Sequence, residues 1–443
     1  MTAPPVFKIA PGIQAYDWGK KGAASLAAQF ATESVPDFEI DEGKSYAELW
    51  MGTHTTLPSR VSATALLSDH LRQHPDFIGA KVAARFPDEA QVGQLPFLFK
   101  VLSIGTALSI QAHPDKELGK RLHAERPNIY KDPNHKPEMA VALTDFRGFL
   151  NFLPLPAIVE HLRTVPELAG LIRPEAIQQL EAVSGTEDPV TDAQKAALKA
   201  VFGDLMAAPE DKYRPAVEAL VARYKRGEVA ASEKPIAELA IQLDADFPGD
   251  VGVLCVFLLN VVDLKPGEAI FLGADVPHAY ISGGEWESGD RTPPLVAVVR
   301  ANPPDIMECM AQSDNVVRAG LTPKLRDVPT LIEMLTYEAG PADKQVLHPV
   351  EFNRDPATKI YDPPIDEFSV LRTHLAKDEV TTHRPIDGPS IGIVTNGEAL
   401  VSWGFGEELI VTRGDVFFLA AGHEYKWQAR KDSEIFRAFV EAA

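Results

Sequence analysis

The residues best placed to do chemistry lie in two short strings, SIQAHPDK at 109–116 and HKPEMAVAL at 135–143. Gln111 and His113 are two positions apart, so on a strand both side chains project from the same pleated face. The mostly apolar run from Phe97 to Ile110, broken by Lys100, predicts a buried strand pair leading into them. Glu138 adds a carboxylate, and the three together make a half-built cage of nitrogen and oxygen ligands for a metal ion. The competing reading is a core histidine satisfied by a polar neighbour, and these residues alone leave it open.

The elements that must position these side chains fall into three blocks. Residues 1–100 read as mixed and strand-rich, with turns at Pro11-Gly12 and Trp18-Gly19 and helical stretches over 65–74 and 76–85. YAELWMGTH at 46–54 puts Glu48 and His54 on an aromatic-rich segment, read as core packing with one surface carboxylate. Between Leu155 and Asp246 apolar stripes recur at helical spacing, as at Ile158, Leu162, Val165 and Leu168. Asp192 stands there as an acidic cap before Ala197, Leu198, Val201, Phe202 and Leu205. This block predicts an all-helical insert that carries no site.

From Val251 the pattern returns to strands, first VGVLCVFLLNVVDL and then KPGEAIFLGADVPHAYISGG. Gly267 and Gly273 flank a short strand, and Pro277-His278 closes the next turn. RGDVFFLAAGHEY at 413–425 is a cousin of that string. A repeated unit of short strands and glycine turns points to two β-barrel or jelly-roll units. The early strand of the second unit, SIGIVTNGEALVSW, offers no histidine, so His423 is expected to be structural and the C-terminal unit metal-free.

Composition bounds the function. A chain of 443 residues suits two or three domains. No apolar run is long enough to span a bilayer, and the N-terminus lacks the basic-then-apolar pattern of a secretory signal. Cys255 and Cys309 rule out a disulfide framework and fit a reducing, cytoplasmic setting. A net charge of −20 argues against nucleic acid or an anionic membrane as partner. It does not exclude a small anion, because screening beyond about 8–10 Å leaves a local cationic cluster free to act.

The spacing Gly105-x5-Gln111-x-His113, followed by Gly267-x5-Gly273 and His278, resembles the two-part cupin pattern, with glutamine in place of its first histidine. Glu138 lies further along than the usual cupin carboxylate. SIQAHPDK, HKPEMAVAL, VPHAYISG and ECMAQSDNVVRAGLTPK, in that order and with YDWG near the start, resemble the type I phosphomannose isomerases over nearly the whole chain. The resemblance implies a mainly β fold with α, built of two cupin-type β-barrel (jelly-roll) domains and an inserted all-helical domain. Its boundaries would be 1–153 with 250–325 for the catalytic domain, 154–249 for the insert and 326–443 for a metal-free C-terminal domain.

It also implies one Zn²⁺ per chain, held by Gln111, His113, Glu138 and His278, and a monomer that interconverts mannose 6-phosphate and fructose 6-phosphate, feeding GDP-mannose synthesis and mannosylation. The proton would move through an enediolate, which needs a fixed positive partner; Arg318 of DNVVRAG is expected there, with the phosphate as its other possible role. Lys136 is the expected base and Glu308 its competitor, Asp314 would orient Arg318 or a water, and His135 and His54 could assist ring opening. Phosphate capture is expected from Ser109, Lys100, Arg318 and Lys324, and further sugar contacts from Tyr280, Trp18 and Glu48. A metal-dependent cupin oxygenase and a non-catalytic two-barrel sugar-binding protein are the alternatives; the first should not need the basic cluster, and the second should not need the full ligand set.

One segment departs from the family pattern. Relatives run HAYISGD directly into a string like IVECMA, whereas here extra residues stand between Ser282 and Asp305. They read as a retained intron, because Gly283-Gly284-Glu285-Trp286 can be encoded over a splice-donor-like signal and removing Gly284 to Pro304 restores ISGDIMECM in frame. The other reading is a real loop at the barrel mouth, which would have to bulge out without separating His278 from Glu308 and could impair catalysis.

Overall fold

The computed structural model describes residues 3–186, 188–282 and 303–442. Period-two alternation builds the layer beneath the site. Across Glu48–Gly52, Phe97–Ser103, Asp305–Ala311 and Glu138–Ala142, the antiparallel register sets Trp50 opposite Lys100, Lys100 opposite Glu308, and Met310 opposite Glu138. Glu48, Lys100, Glu308 and Glu138 therefore form a polar row on one face. The alternate residues, among them Leu49, Phe99, Val101, Met139, Met307 and Cys309, form an apolar layer on the other.

These strands belong to a seven-stranded sheet completed by Val346–Leu347, Ala269–Leu272 and Gly12–Gln14. A five-stranded sheet faces it, ordered Leu259–Leu264, Phe146–Phe152, His278–Ser282, Ile110–Ala112 and Val317–Gly320. Leu102, Ala140, Ile270 and Ile306 from the first sheet meet Phe146, Leu150, Val262 and Tyr280 from the second. The run from Phe97 to Ile110 is thus not a strand pair. It is one strand of the larger sheet, ending at Ser103, and a crossing to Ile110–Ala112 in the facing sheet.

The helical insert is present, from Leu155–Thr164 to Ala237–Asp246. Its apolar stripes pack with Ile110, Ala112, Val317 and Ala319, so the helices cover the outer face of the five-stranded sheet. Thr191, not Asp192, caps the helix Asp192–Ala207, through a reciprocal box with Gln194; Asp192 sits in the first turn, where its charge suits the helix dipole. Val251–Phe257 is a 3₁₀ helix and not a strand. Every residue in it is buried, and a wholly apolar run carries no period by which strand and helix can be told apart.

The C-terminal part is a second sandwich. Its seven-stranded sheet runs Val6–Lys8, Val416–Leu419, Ser390–Asn396, Ser433–Phe439, Ser369–Leu375, Asp355–Tyr361 and Val350–Phe352. A four-stranded sheet, Val380–His383, Tyr425–Ala429, Glu398–Trp403 and Glu407–Thr412, lies against it. The N-terminal strand Val6–Lys8 pairs with Val416–Leu419, so the chain start is stitched into the C-terminal sheet. Val370, Ile391, Ile393, Phe436 and Ala438 then meet the apolar layer of the first sandwich in one continuous core. The expected jelly-roll layering holds, but among the described residues hydrogen bonding does not close either pair of sheets into a barrel. Among the described residues no helix is long and apolar enough to cross a membrane.

Asp250 locks the insert to the site. Its carboxylate accepts from Gly252 N (2.6 Å), Leu321 N (2.7 Å) and Thr322 N (3.2 Å), tying the start of the 3₁₀ helix to the turn after Val317–Gly320. Asp250→Ala should destabilise the chain by about 2–3 kcal/mol, since it strips a charged acceptor from three backbone donors. Chemical denaturation checks this, and an unchanged transition would mean that the turn holds itself.

Candidate metal centre and active site

Three buried side chains from both faces of the first sandwich meet at one point. His278 and Glu138 open their strands, and His113 directly follows Ile110–Ala112. Glu138 Oε2 lies 3.4 Å from His113 Nε2 and 3.3 Å from His278 Nε2. Each imidazole is fixed from behind: His113 Nδ1 is 2.6 Å from the Asn315 carbonyl oxygen, and His278 Nδ1 is 2.9 Å from that of Val276. A carbonyl can only accept, so each Nδ1 carries the proton and each Nε2 presents a lone pair.

Both Nε2 atoms and Glu138 Oε2 are buried without a hydrogen-bond partner among the described residues. Three converging acceptors satisfy one another only around a cation, and imidazoles anchored by backbone carbonyls are the usual arrangement of metal-ligating histidine. The residues fit a divalent metal.

Electrostatics favour the ligand forms. Burial, reinforced by Lys136, pushes the His113 imidazole down to about 4, so it is neutral at ordinary pH. Burial alone would raise the Glu138 carboxyl, but Lys136 and His113 beside it hold it well below the usual carboxylate range. Lys136 Nζ is 2.9 Å from Glu138 Oε1, the oxygen turned away from the histidines.

Backbone register brings in two more of the expected residues. Gln111 pairs with His278 on one side and Arg318 on the other, so the three share the inward face of the five-stranded sheet. Arg318 has no carboxylate partner among the described residues, and burial lowers its pKa. Glu308 is saturated: Tyr280 Oη donates to Oε1 at 2.9 Å and Lys100 Nζ to Oε2 at 3.0 Å. Lys100 also sits 3.5 Å from Glu48, which accepts from Trp50 Nε1 at 2.5 Å. Burial, against the pull of Lys100, raises the Glu308 carboxyl.

Other residues sit elsewhere than their expected roles would have them. Asp314 is exposed and faces His54 Nε2 at 3.5 Å, not Arg318. His135 is tied to Glu367 of the C-terminal part at 2.6 Å. Lys324 is exposed, and Ser109 is half-buried just ahead of Ile110–Ala112. Trp18 is half-buried and stacks on Tyr16, while its carbonyl accepts from Gly105 N and Thr106 N. Asn315 was absent from the sequence reading. Its carbonyl orients His113 and its Nδ2 donates to the Asp132 and Asn134 carbonyls, clamping the loop before Lys136. A backbone acceptor leaves no mark in sequence beyond its place in the DNVVRAG string.

The comparisons with known proteins agree with this geometry. The family model for the type I phosphomannose isomerase catalytic domain matches residues 6–155, that for its helical insertion domain residues 171–259, and that for its C-terminal part residues 359–404. The mannose-6-phosphate isomerase of Cryptococcus neoformans is 55% identical, over 99% of this chain and 100% of its own. The chain belongs to the type I phosphomannose isomerase family. The Saccharomyces cerevisiae mannose-6-phosphate isomerase is 42% identical over 98% of this chain and 99% of its own. Among solved structures, the apo mannose 6-phosphate isomerase of Salmonella typhimurium matches with a TM-score of 0.78 at 28% identity, over 99% of this chain and 100% of that one. A mannose 6-phosphate isomerase bound with zinc and yttrium matches with the same TM-score, identity and coverage.

The extra segment from Gly284 to Pro304 lies, up to residue 302, outside the described residues. The strands on either side of it, His278–Ser282 and Asp305–Ala311, still bring Tyr280 and Glu308 into hydrogen-bond contact.

Glu138→Gln should weaken divalent-metal binding at least about ten-fold, because the triad loses its only negative ligand. Elemental analysis after dialysis at a fixed free-metal level reads this, and undiminished content would remove Glu138 from the centre.

Proposed function

We propose that this chain interconverts mannose 6-phosphate and fructose 6-phosphate, with one zinc ion held by Gln111, His113, Glu138 and His278. The observation that carries the reading is the convergence of three unpartnered acceptors on a face shared with Gln111 and Arg318. When bound, the metal would supply a Lewis acid for the negative oxygen that develops as the proton leaves C2. The work of this chain's own residues is to hold and move that proton and to steady the charge.

Lys136 is the proposed base. Its ammonium is buried and depends on Glu138 for its counter-charge. In its free-amine form it takes the proton from C2 and returns it at C1. Glu308 suits a positioning role better, since Tyr280 and Lys100 occupy both its oxygens. Arg318, unpaired among the described residues and on the inward face, suits the enediolate oxygen. The commitment of Lys100 to Glu308 and Glu48 favours leaving the phosphate to Ser109 and to Lys324 at the exposed rim. We extend the reading to a monomer in the cytoplasm, with which the free thiols of Cys255 and Cys309 agree.

Isomerisation of mannose 6-phosphate, assayed before and after chelation, tests the reading. Activity should vanish with the chelator and return with zinc; turnover that survives complete metal removal would overturn it. Lys136→Met should lower kcat by about 10²–10⁴-fold while metal content stays near one per chain. A fall in metal content that parallels the fall in kcat would reassign Lys136 to holding the centre.

A further inference from the structure

The interior of the C-terminal sandwich carries a second electrostatic anomaly, opposite in sign to the first. Arg437 lies in the middle of Ser433–Phe439 and is 2% exposed. Among the described residues none of its three guanidinium nitrogens has a hydrogen-bond partner. Its neighbours across the sheet are Leu371 and Gly392, and Ile435 on its own face belongs to the sandwich core, so the side chain points inward. Burial pushes its pKa down only to about 10, which leaves it charged at neutral pH. Among the described residues no carboxylate pairs with it; Glu441, the acid of its own strand end, is taken by Arg384 through two 2.7 Å contacts.

The groups around Arg437 form a circuit lined with idle donors. Its guanidinium lies 5.3 Å from the Tyr425 ring. His383 stands opposite Tyr425 in the next strand and its ring is 6.1 Å from that of Trp427. The Trp427 ring is 5.7 Å from Phe417, and Phe417 fills the space beside Gly392, where a Cβ would come within 2.4 Å of its ring. Gly392 pairs with Arg437, which closes the circuit.

Along it, Trp427 Nε1, Ser390 Oγ and His383 Nδ1 are all buried and have no hydrogen-bond partner among the described residues. Thr358 Oγ1 sits 3.0 Å from His383 Nε2, so a hydroxyl donating there leaves the proton on Nδ1. Tyr425 Oη is already used on the Ala420 carbonyl.

We propose that the C-terminal sandwich holds a small inorganic anion on Arg437, with Trp427 Nε1, Ser390 Oγ and His383 Nδ1 as its other donors. A buried guanidinium without a counter-charge is strongly disfavoured, and a lining of donors is complementary to an anion as a lining of acceptors is to a cation. The site is remote in sequence from Gln111, His113 and Glu138, and its role is to complete the fold of the C-terminal part.

Crystals of the wild-type chain soaked separately in bromide and in selenate, both anomalous scatterers, test the assignment and distinguish halide from oxyanion. A peak within about 3.5 Å of the Arg437 guanidinium is expected for at least one of them. In parallel, the thermal midpoint of the protein in low-anion buffer should rise saturably with the same anion, and Arg437→Met should abolish that rise while retaining isomerase activity. No peak with either probe overturns the proposal, as does an undiminished anion response in Arg437→Met. A peak in crystals without a saturable response in solution marks an adventitious ion only and overturns it too. Should the variant fail to fold, diffraction and titration of the wild-type chain decide.

Discussion

Two imidazole lone pairs and one carboxylate oxygen, all buried and all facing one another, set the terms for the rest of the catalytic sandwich. Left alone they repel and are unsolvated, an arrangement that a fold sustains only when a cation completes it. The backbone has committed to that arrangement. The carbonyls of Asn315 and Val276 take the opposite nitrogen of each ring, so neither histidine can turn away without giving up its anchor. Lys136 neutralises the far oxygen of Glu138 and keeps the near one available.

The two facing sheets are what bring the three groups together. Glu138 arrives from the larger sheet, in a polar row with Glu308, Lys100 and Glu48, and His113 and His278 arrive from the smaller one. Charge within the row is paired internally: Lys100 lies between Glu308 and Glu48, and Tyr280 reaches across from the smaller sheet to Glu308. The charges of the row are thus satisfied within it, and Arg318, without a carboxylate of its own among the described residues, lies on the opposite sheet beside Gln111. The C-terminal sandwich reverses the sign of the problem with an inward arginine among donors.

Much of the catalytic half was legible before the fold was seen. Gln111 and His113, two apart on a strand, share one face by strand alternation, whereas His278 joined the set only through the resemblance of VPHAYISG and its companion strings to the type I phosphomannose isomerases. Where alternation was missing, the reading failed: Val251–Phe257, buried on every side, carries no period and is helical. Long-range pairing was equally invisible. Nothing local tells Val6–Lys8 that it will join Val416–Leu419, or Ile110–Ala112 that it will leave the sheet of Phe97–Ser103. Asp314 illustrates a third kind of miss: its proximity to Arg318 in sequence suggested a partnership, but the turn between them points it at His54. Arg437 is marked by nothing in IFRAF, and its burial follows only from the placement of its strand between two others.

The central claim is that the acceptors of His113, Glu138 and His278 enclose one metal ion. X-ray absorption at the zinc edge on the purified wild-type chain tests it most directly. The account predicts a stoichiometric zinc with a shell of nitrogen and oxygen only, showing the outer-shell scattering of two imidazoles. A zinc with sulfur neighbours, or a shell without imidazole scattering, would contradict it.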